Sequence, residues 1–383
     1  MTGVDLEEKA RIREFVRGTA LKAITGSSGN PAPDSGFSLM TWLASAVYEK
    51  LDRDFAEAAP VDAAGPGSLA GDVLSGFKGG FVRYFPDSSL LLIVRVVPVS
   101  YIRSVRTGLI SSPDLERSRE LAHAIQGAGV ACERTAVAYI PFDSNKVSDI
   151  KLAPGSDPVA KDLVHAVVTR PSERGLQRMP GPSDLADPCD VCLARKIAHF
   201  LGIDPDPEDE NFSLKAWVGT SVHEKLERDL PKVYDGAQLE ITVSIADIPG
   251  LGLVSGHVDS YFPERLALND WKTGDLSGTF GVKRMRTDGV KTAYLRQTML
   301  YCYGMRQSGL PVEWANLTFI PRDSNRASDI WTATCSYRED VAVFALNRAE
   351  SLVDVVKSGD RHTLEPDLEA PCFKCVVLPR LLG

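Results

Sequence analysis

The chain has 383 residues, 44% of them hydrophobic, which is enough for two ordinary domains, each with its own core. Its longest apolar run, 90–99, is broken by Arg95 and falls far short of the ~20 residues that cross a bilayer, so no membrane span is expected. The net charge of −8 argues against a nucleic-acid partner on bulk charge, although local charge can override that.

Residues 1–15 mix both signs of charge and hold no apolar signal core, so a cytoplasmic protein is expected. The next readable segment, FSLMTWLASAVYEKLDRD at 37–54, returns as FSLKAWVGTSVHEKLERD at 212–229, with ten of 18 positions identical. IPFDSNKVSDI at 140–150 returns as IPRDSNRASDI at 320–330, with eight of 11 identical. DLADPCDVC at 184–192 is echoed by DLEAPCFKC at 367–375. The first two matches lie 175 and 180 residues apart, so they belong to one long repeat, of domain size rather than solenoid size. Two tandem domains of one fold are expected, at 1–180 and 181–383.

In the second copy a helix is predicted at 191–201, after the cysteine pair, and a Pro/Asp/Glu-rich loop at 203–211. A helix at 213–230 follows, because Leu214, Val218, Val222, Leu226 and Leu230 form a stripe with Trp217 beside them. Strands are predicted at 238–245, 253–262 and 266–273, then a helix at 290–307. Strands at 313–321 and 328–335 and a helix at 338–357 complete the copy. A helix, a β-meander, a helix and further strands describe an α/β sheet domain.

The most informative segment is 256–274. Pro263-Glu264-Arg265 reads as a turn. With Glu264 and Arg265 central, Asp259 falls opposite Asp270, with Cβ atoms ~4.5–5.5 Å apart. Side chains alternate along a strand, so Asp270 and Lys272 share a face. Two facing carboxylates repel unless a cation lies between them or one is protonated. Hard oxygen ligands at that spacing favour Mg²⁺ or Mn²⁺. Lys272 would then stand where it can stabilise charge on a phosphate. A surface hairpin with an incidental ion pair is the plainer alternative.

Further polar residues bracket this hairpin. His223 lies on the helix before it, four residues after Gly219, and could equally be an ordinary interfacial histidine. Gln297 and Tyr301 lie four apart on the helix after it, on one face. Lys283, Arg284, Arg286, Lys291 and Arg296 carry only Asp288 against them, as a DNA-facing stretch or a solvated helix face would. In this order, His223, Gly256 with Asp259, Asp270 with Lys272, and Gln297 with Tyr301, the second copy resembles the RecB-like branch of the PD-(D/E)xK nuclease superfamily. Asp259 lacks the preceding Pro, and Asp270 stands where Glu is commoner. The resemblance covers 189–375.

That resemblance implies two restriction-endonuclease-like domains, each a central mixed sheet flanked by helices. It implies that His223, Asp259, Asp270 and the Trp271 carbonyl bind Mg²⁺ or Mn²⁺. Lys272 would assist the attacking water, and Gln297 and Tyr301 would position the strand and the catalytic residues. The activity implied is phosphodiester hydrolysis on DNA, single-stranded or with free ends, by an exonuclease of recombination, repair or phage type. An endonuclease of restriction or defence would use the same residues, and a non-catalytic DNA-binding scaffold is a further alternative. No Gly-x-x-x-x-Gly-Lys-Ser/Thr loop is present, so any ATP-driven unwinding would come from a separate helicase, or a recombinase would partner the chain.

Of seven cysteines, Cys189 with Cys192 and Cys372 with Cys375 form two Cys-x-x-Cys pairs, a strong metal signal in a reducing compartment. Some RecB-like nucleases, the CRISPR-associated exonucleases among them, tie the two ends of the nuclease domain with a [4Fe–4S] cluster. Their usual spacing is one cysteine before the core and three after. Two and two leaves Zn²⁺ as the alternative. Cys132, Cys302 and Cys335 are expected to be buried apolar residues. In the first copy Tyr48 aligns with His223, Arg83 with Asp259 across one gap, Ile93 and Arg95 with Asp270 and Lys272, and Arg117 with Gln297. A degenerate copy is therefore expected, its arginines either binding phosphate or facing solvent.

Overall fold

The computed structural model describes residues 3–26, 37–58, 80–85, 88–106, 112–127, 129–144, 146–169, 179–204, 213–278 and 281–364. These residues form two mixed β-sheets, of four and five strands, flanked by helices. The first half contributes α1 (Gly3–Thr25), α2 (Leu39–Ala58), β1 (Phe81–Phe85), β2 (Leu90–Val97), α3 (Val99–Arg106), α4 (Ser112–Gly127), β3 (Arg134–Pro141), β4 (Lys151–Leu152) and α5 (Val159–Val168). The second contributes α6 (Pro182–Leu185), α7 (Asp190–Phe200), α8 (Leu214–Asp229), β5 (Gln238–Ile248), β6 (Gly252–Phe262), β7 (Ala267–Gly274), α9 (Val282–Asp288), α10 (Thr292–Gln307), β8 (Trp314–Pro321), β9 (Trp331–Ser336) and α11 (Glu339–Ser358). Among the described residues no helix is long and apolar enough to cross a membrane.

Strands follow chain order in each sheet. β2–β3 and β7–β8 are parallel and every other pairing is antiparallel. Parallel neighbours need a crossover, which α3 and α4 supply in one half and α9 and α10 in the other. The predicted helix at 290–307 starts later, at Thr292, and Lys283, Arg284 and Arg286 lie on the separate α9, which ends at Asp288 before Gly289 at φ 94°. The predicted turn also differs. Pro263–Arg265 is a 3₁₀ turn, and Leu266 takes a left-handed φ of 47° while its N–H bonds to Pro263 O. Ser89 has the same φ, 47°, before β2, and its carbonyl accepts from Arg134 N as Leu266's does from Trp314 N.

Two faces cover the second sheet. On one, Leu193 and Ile197 of α7, Met299 and Leu300 of α10 and Leu352 of α11 pack on Val243, Val258 and Leu268. On the other, Ile12 and Val16 of α1, Trp42 and Leu43 of α2 and Val222 and Leu226 of α8 pack on Phe262, Trp271 and Ile320. Reciprocally, Leu214, Trp217 and Val218 of α8 enter the first sheet's core beside Val47, Leu51, Leu92 and Val94. Each buried large side chain contributes roughly 1.5–3 kcal/mol. The two halves therefore share their cores through α1, α2 and α8.

The α2–α8 contact is reciprocal. Lys225 bonds Glu49 at 2.6 Å and Lys50 bonds Glu224 at 3.4 Å. Arg228 pairs with Glu49 and Arg53 with Glu224. Lys225 lies 6.0 Å from the Trp42 ring and Lys50 lies 6.0 Å from that of Trp217. In a two-fold contact residue i meets j and j meets i, and the two repeats reproduce that rule within one chain.

Sheet register corrects one alignment. Phe85 pairs with Leu90 as Phe262 pairs with Ala267, so Val82, opposite Ile93, takes the place of Asp259. Arg83 lies one residue on, opposite Leu92, and pairs with Asp52. Arg95 does occupy the register of Lys272, and it meets Asp114 at 3.8 Å. The hydroxyls of Tyr101 and Tyr139 donate to the same carboxylate, at 3.3 and 3.2 Å.

Candidate active site

β6 and β7 pair from Phe262 opposite Ala267 to Ser260 opposite Asn269, so the ladder ends one residue short of Asp259 and Asp270. At that step Asp259 replaces a strand carbonyl: its Oδ2 accepts the Trp271 N–H at 2.6 Å. Its Oδ1 faces His223 Nδ1 at 3.4 Å. Helix α8 presents His223 because its other side, Val222 and Leu226, is held in the core, and Ser213 caps its start by accepting from Ala216 N. Gly219 lets α8 approach β7: a Cβ there would lie 3.1 Å from Thr273 Oγ1.

Asp270 is 3% exposed and its Oδ2 lies 2.7 Å from Lys272 Nζ. That oxygen has no hydrogen bond of good geometry among the described residues. Lys272 donates to Gln297 Oε1 at 3.1 Å, and Gln297 Nε2 donates to Tyr301 OH at 3.2 Å. A line of contacts from hairpin to helix thus runs Asp270–Lys272–Gln297–Tyr301. Tyr294, one turn before Gln297, places its ring 5.5 Å from Lys272 and 5.3 Å from Lys291. Sequence reasoning missed it, although its spacing from Gln297 and Tyr301 puts all three on one helix face. Gly256 admits Tyr301: a Cβ there would lie 2.8 Å from Tyr301 Cε1 and 2.8 Å from Pro182 Cγ.

The charges couple. Burial pushes the Asp270 carboxyl up to about 6, with Asp259 adding to the rise and Lys272 opposing it. Burial acts the same way on Asp259, but His223, Lys272 and the Trp271 N–H together hold it below its ordinary value. Burial disfavours charge on Lys272 and His223, yet the two carboxylates outweigh it and both bases are raised. For Asp270 a raised folded pKa means that the folded chain keeps a proton that the unfolded chain releases. Stability is therefore fully present below about pH 4 and is lost as pH rises to about 6. Chemical denaturation in EDTA should show this component, on the order of 2–3 kcal/mol, and Asp270→Asn should lack it. Parallel stability–pH curves for the two proteins would refute this assignment.

Not every expected ligand converges. Among the described residues no group of three or more His, Cys, Asp or Glu is gathered for a metal ion. The expected set His223, Asp259 and Asp270 is split, because His223 is drawn to Asp259 while Lys272 occupies Asp270. Trp271 buries its ring on the opposite face and gives its N–H to Asp259. The basic stretch also divides. Arg284 pairs with Asp288 at 2.8 Å and Arg286 donates to Asp329 O at 2.5 Å, with Lys283 exposed beside them on α9. Lys291 and Arg296 instead stand at the start of α10.

Cys189 and Cys192 are buried side by side at the start of α7, with Cys189 N bonded to Asp187 Oδ1 at 2.9 Å. Cys372 and Cys375 lie outside the described residues. Cys132 and Cys302 are buried as expected, whereas Cys335 is only partly covered.

No family model matches the chain, and no curated protein matches it. Among solved structures, the alkaline exonuclease LHK-Exo from Laribacter hongkongensis overlaps 49% of this chain and 91% of its own, at 10% identity and a TM-score of 0.33. The same enzyme in complex with dAMP overlaps at 12% identity and a TM-score of 0.30. A protein from Eubacterium rectale with a provisional exonuclease name overlaps 53% of this chain and 88% of its own, at 16% identity and a TM-score of 0.30. These likenesses are distant, and the reading of the site rests on its own geometry.

Proposed function

We propose that this chain is a divalent-metal-dependent deoxyribonuclease of the RecB-like PD-(D/E)xK kind, acting on DNA ends, with its one active site in the second of two duplicated domains. The observation that carries this reading is the buried charge set: the Asp270 carboxylate lies 2.7 Å from the Lys272 ammonium, and Asp259 and Asp270 together raise that lysine. Two buried carboxylates on neighbouring strands suit Mg²⁺ or Mn²⁺, which need only one or two protein carboxylates and complete their shell with water and phosphate. That need explains how two acids can serve where no three-residue cage is gathered among the described residues. Asp259 and Asp270 would hold the cation, with His223 and the Trp271 carbonyl beside them. When bound, it would polarise the phosphodiester and supply a nucleophile from water at neutral pH.

The chain's own residues do the rest. Lys272 places a positive charge beside the scissile phosphate, where it stabilises the charge that develops on the phosphate oxygens. Gln297 fixes the Lys272 ammonium, and Tyr301 fixes Gln297. His223 and the Trp271 N–H orient Asp259. In the first domain Val82 and Ile93 have replaced both acids, and Asp114 engages Arg95, so that copy lacks the acid pair.

Linear and closed circular DNA incubated with Mg²⁺ or Mn²⁺ decide the reading. Loss of linear DNA, abolished by EDTA and by Asp259→Asn, is expected, with the closed circle spared. Nicking of the circle would make the enzyme an endonuclease, and intact DNA in every arm would leave a scaffold. We further propose that Cys189 and Cys192 join Cys372 and Cys375 around a [4Fe–4S] cluster, with Zn²⁺ as the alternative. Protein purified without oxygen should be brown, with about four iron atoms per chain by elemental analysis for such a cluster. One zinc in colourless protein would select the alternative, and neither metal would remove the clip.

A further inference from the structure

A groove of about 360 Å³ opens between the first turns of α10 and α11. Thr292, Leu295 and Arg296 form one wall and Asp340, Val341 and Phe344 the other. Tyr294, Gln297 and Tyr301 turn toward Lys272, so helical geometry directs the groove residues around the opposite flank of the same turn. Phe344 is 54% exposed, and the Arg296 guanidinium lies 5.1 Å from its ring centroid.

Arg296 is incompletely satisfied. Its Nη1 is buried with no hydrogen-bond partner among the described residues, and so is Nη2 of Arg348. Arg348 is otherwise held by Asp190 at 2.5 Å and the Asp187 carbonyl at 2.6 Å. The carboxylate on the groove wall, Asp340, is clamped by Arg338. A donor left without an acceptor favours an anion beside it, and of these two arginines only Arg296 lines the groove, with Asp190 and Asp187 acting on it more weakly than burial and Arg348 do. An exposed ring beside a cation and an apolar wall suits a flat aromatic group, and the start of a 16-residue helix adds its positive end.

Phosphate and flat ring together define a nucleotide. We infer that this groove holds a nucleotide of the bound strand beyond the scissile position, its phosphate on Arg296 and its base against Phe344. The inference rests on the nuclease reading and extends it to a second subsite. A nucleotide can come from the polymer or from a released mononucleotide, and both sources enter the test.

The test measures binding of fluorescein-labelled oligothymidylate by anisotropy in EDTA, where no metal-dependent cleavage occurs. Arg296→Gln and Phe344→Ser are compared with wild type after a thermal melt of each, and the exposure of Phe344 makes its variant safe for folding. Each variant should weaken strand binding about tenfold. For Arg296→Gln the slope of log affinity against log salt should also shrink by about 0.7. Competition by dTMP but not by inorganic phosphate would show that the groove also takes a released mononucleotide. No competition by dTMP would assign it to the polymer. Unchanged affinity in both folded variants, or a wild type that binds no strand, overturns the subsite. Weakened binding in the variants with equal cleavage by wild type and Lys272→Ala would remove the nuclease reading and keep the groove. Unchanged binding with cleavage that needs Lys272 would do the reverse.

Discussion

Lys272→Ala should cut DNA about 10³-fold more slowly than wild type while remaining folded, because in the proposed reaction the charge it removes would act on the reacting phosphate. The variant should survive because Asp270 can take up a proton: burial has pushed its carboxyl up to about 6, and losing the ammonium, which opposes that rise, raises it further. Gln297→Ala is the instructive companion. It frees the ammonium without removing it, so a loss of about tenfold is expected, carried by kcat with KM unchanged. Single-turnover cleavage of an end-labelled duplex measures both. Wild-type rates from folded Lys272→Ala would end the catalytic assignment of this lysine.

The second large effect is one of stability. Trp217→Ala should destabilise the protein by about 3–5 kcal/mol, as removal of a buried indole does. Trp217 is 7% exposed, stacks under Lys50 and donates to Asp54 at 3.4 Å. It belongs to the second repeat in sequence but packs into the first sheet's core. Hydrogen exchange should therefore lose protection in β1 to β3, far from the mutated helix in sequence. A shift below about 1 kcal/mol in urea, or loss of protection confined to the second sheet, would contradict the interlocked core.

The hairpin shows what could be read from residues alone. Its register came out right although its turn did not, because a 3₁₀ turn over 263–266 and a two-residue turn at Glu264-Arg265 share one centre. Alternation then fixed Asp270 and Lys272 on one face. The first copy shows the opposite case. One gap, placed a residue away, moved Arg83 into a position that belongs to Val82, and a slip of one flips a strand's faces. Packing between distant segments was not legible. The apolar stripe of α1, with Ile12, Val16 and Ala20, says that a face is buried but not that β8 and β9 bury it. Ligand convergence was not legible either, since spacing places His223 near Asp259 but cannot show that Lys272 claims Asp270.

The exchange of partners between α2 and α8 bears on how the halves diverged. Glu49 answers to Lys225 and Arg228, and Glu224 to Lys50 and Arg53, so a change in either helix disturbs a bond whose other end lies in its sister. The two helices were thus tethered to one another's spelling while the strands behind them could drift. The stretch 37–54 against 212–229, where ten of 18 positions agree, is this join.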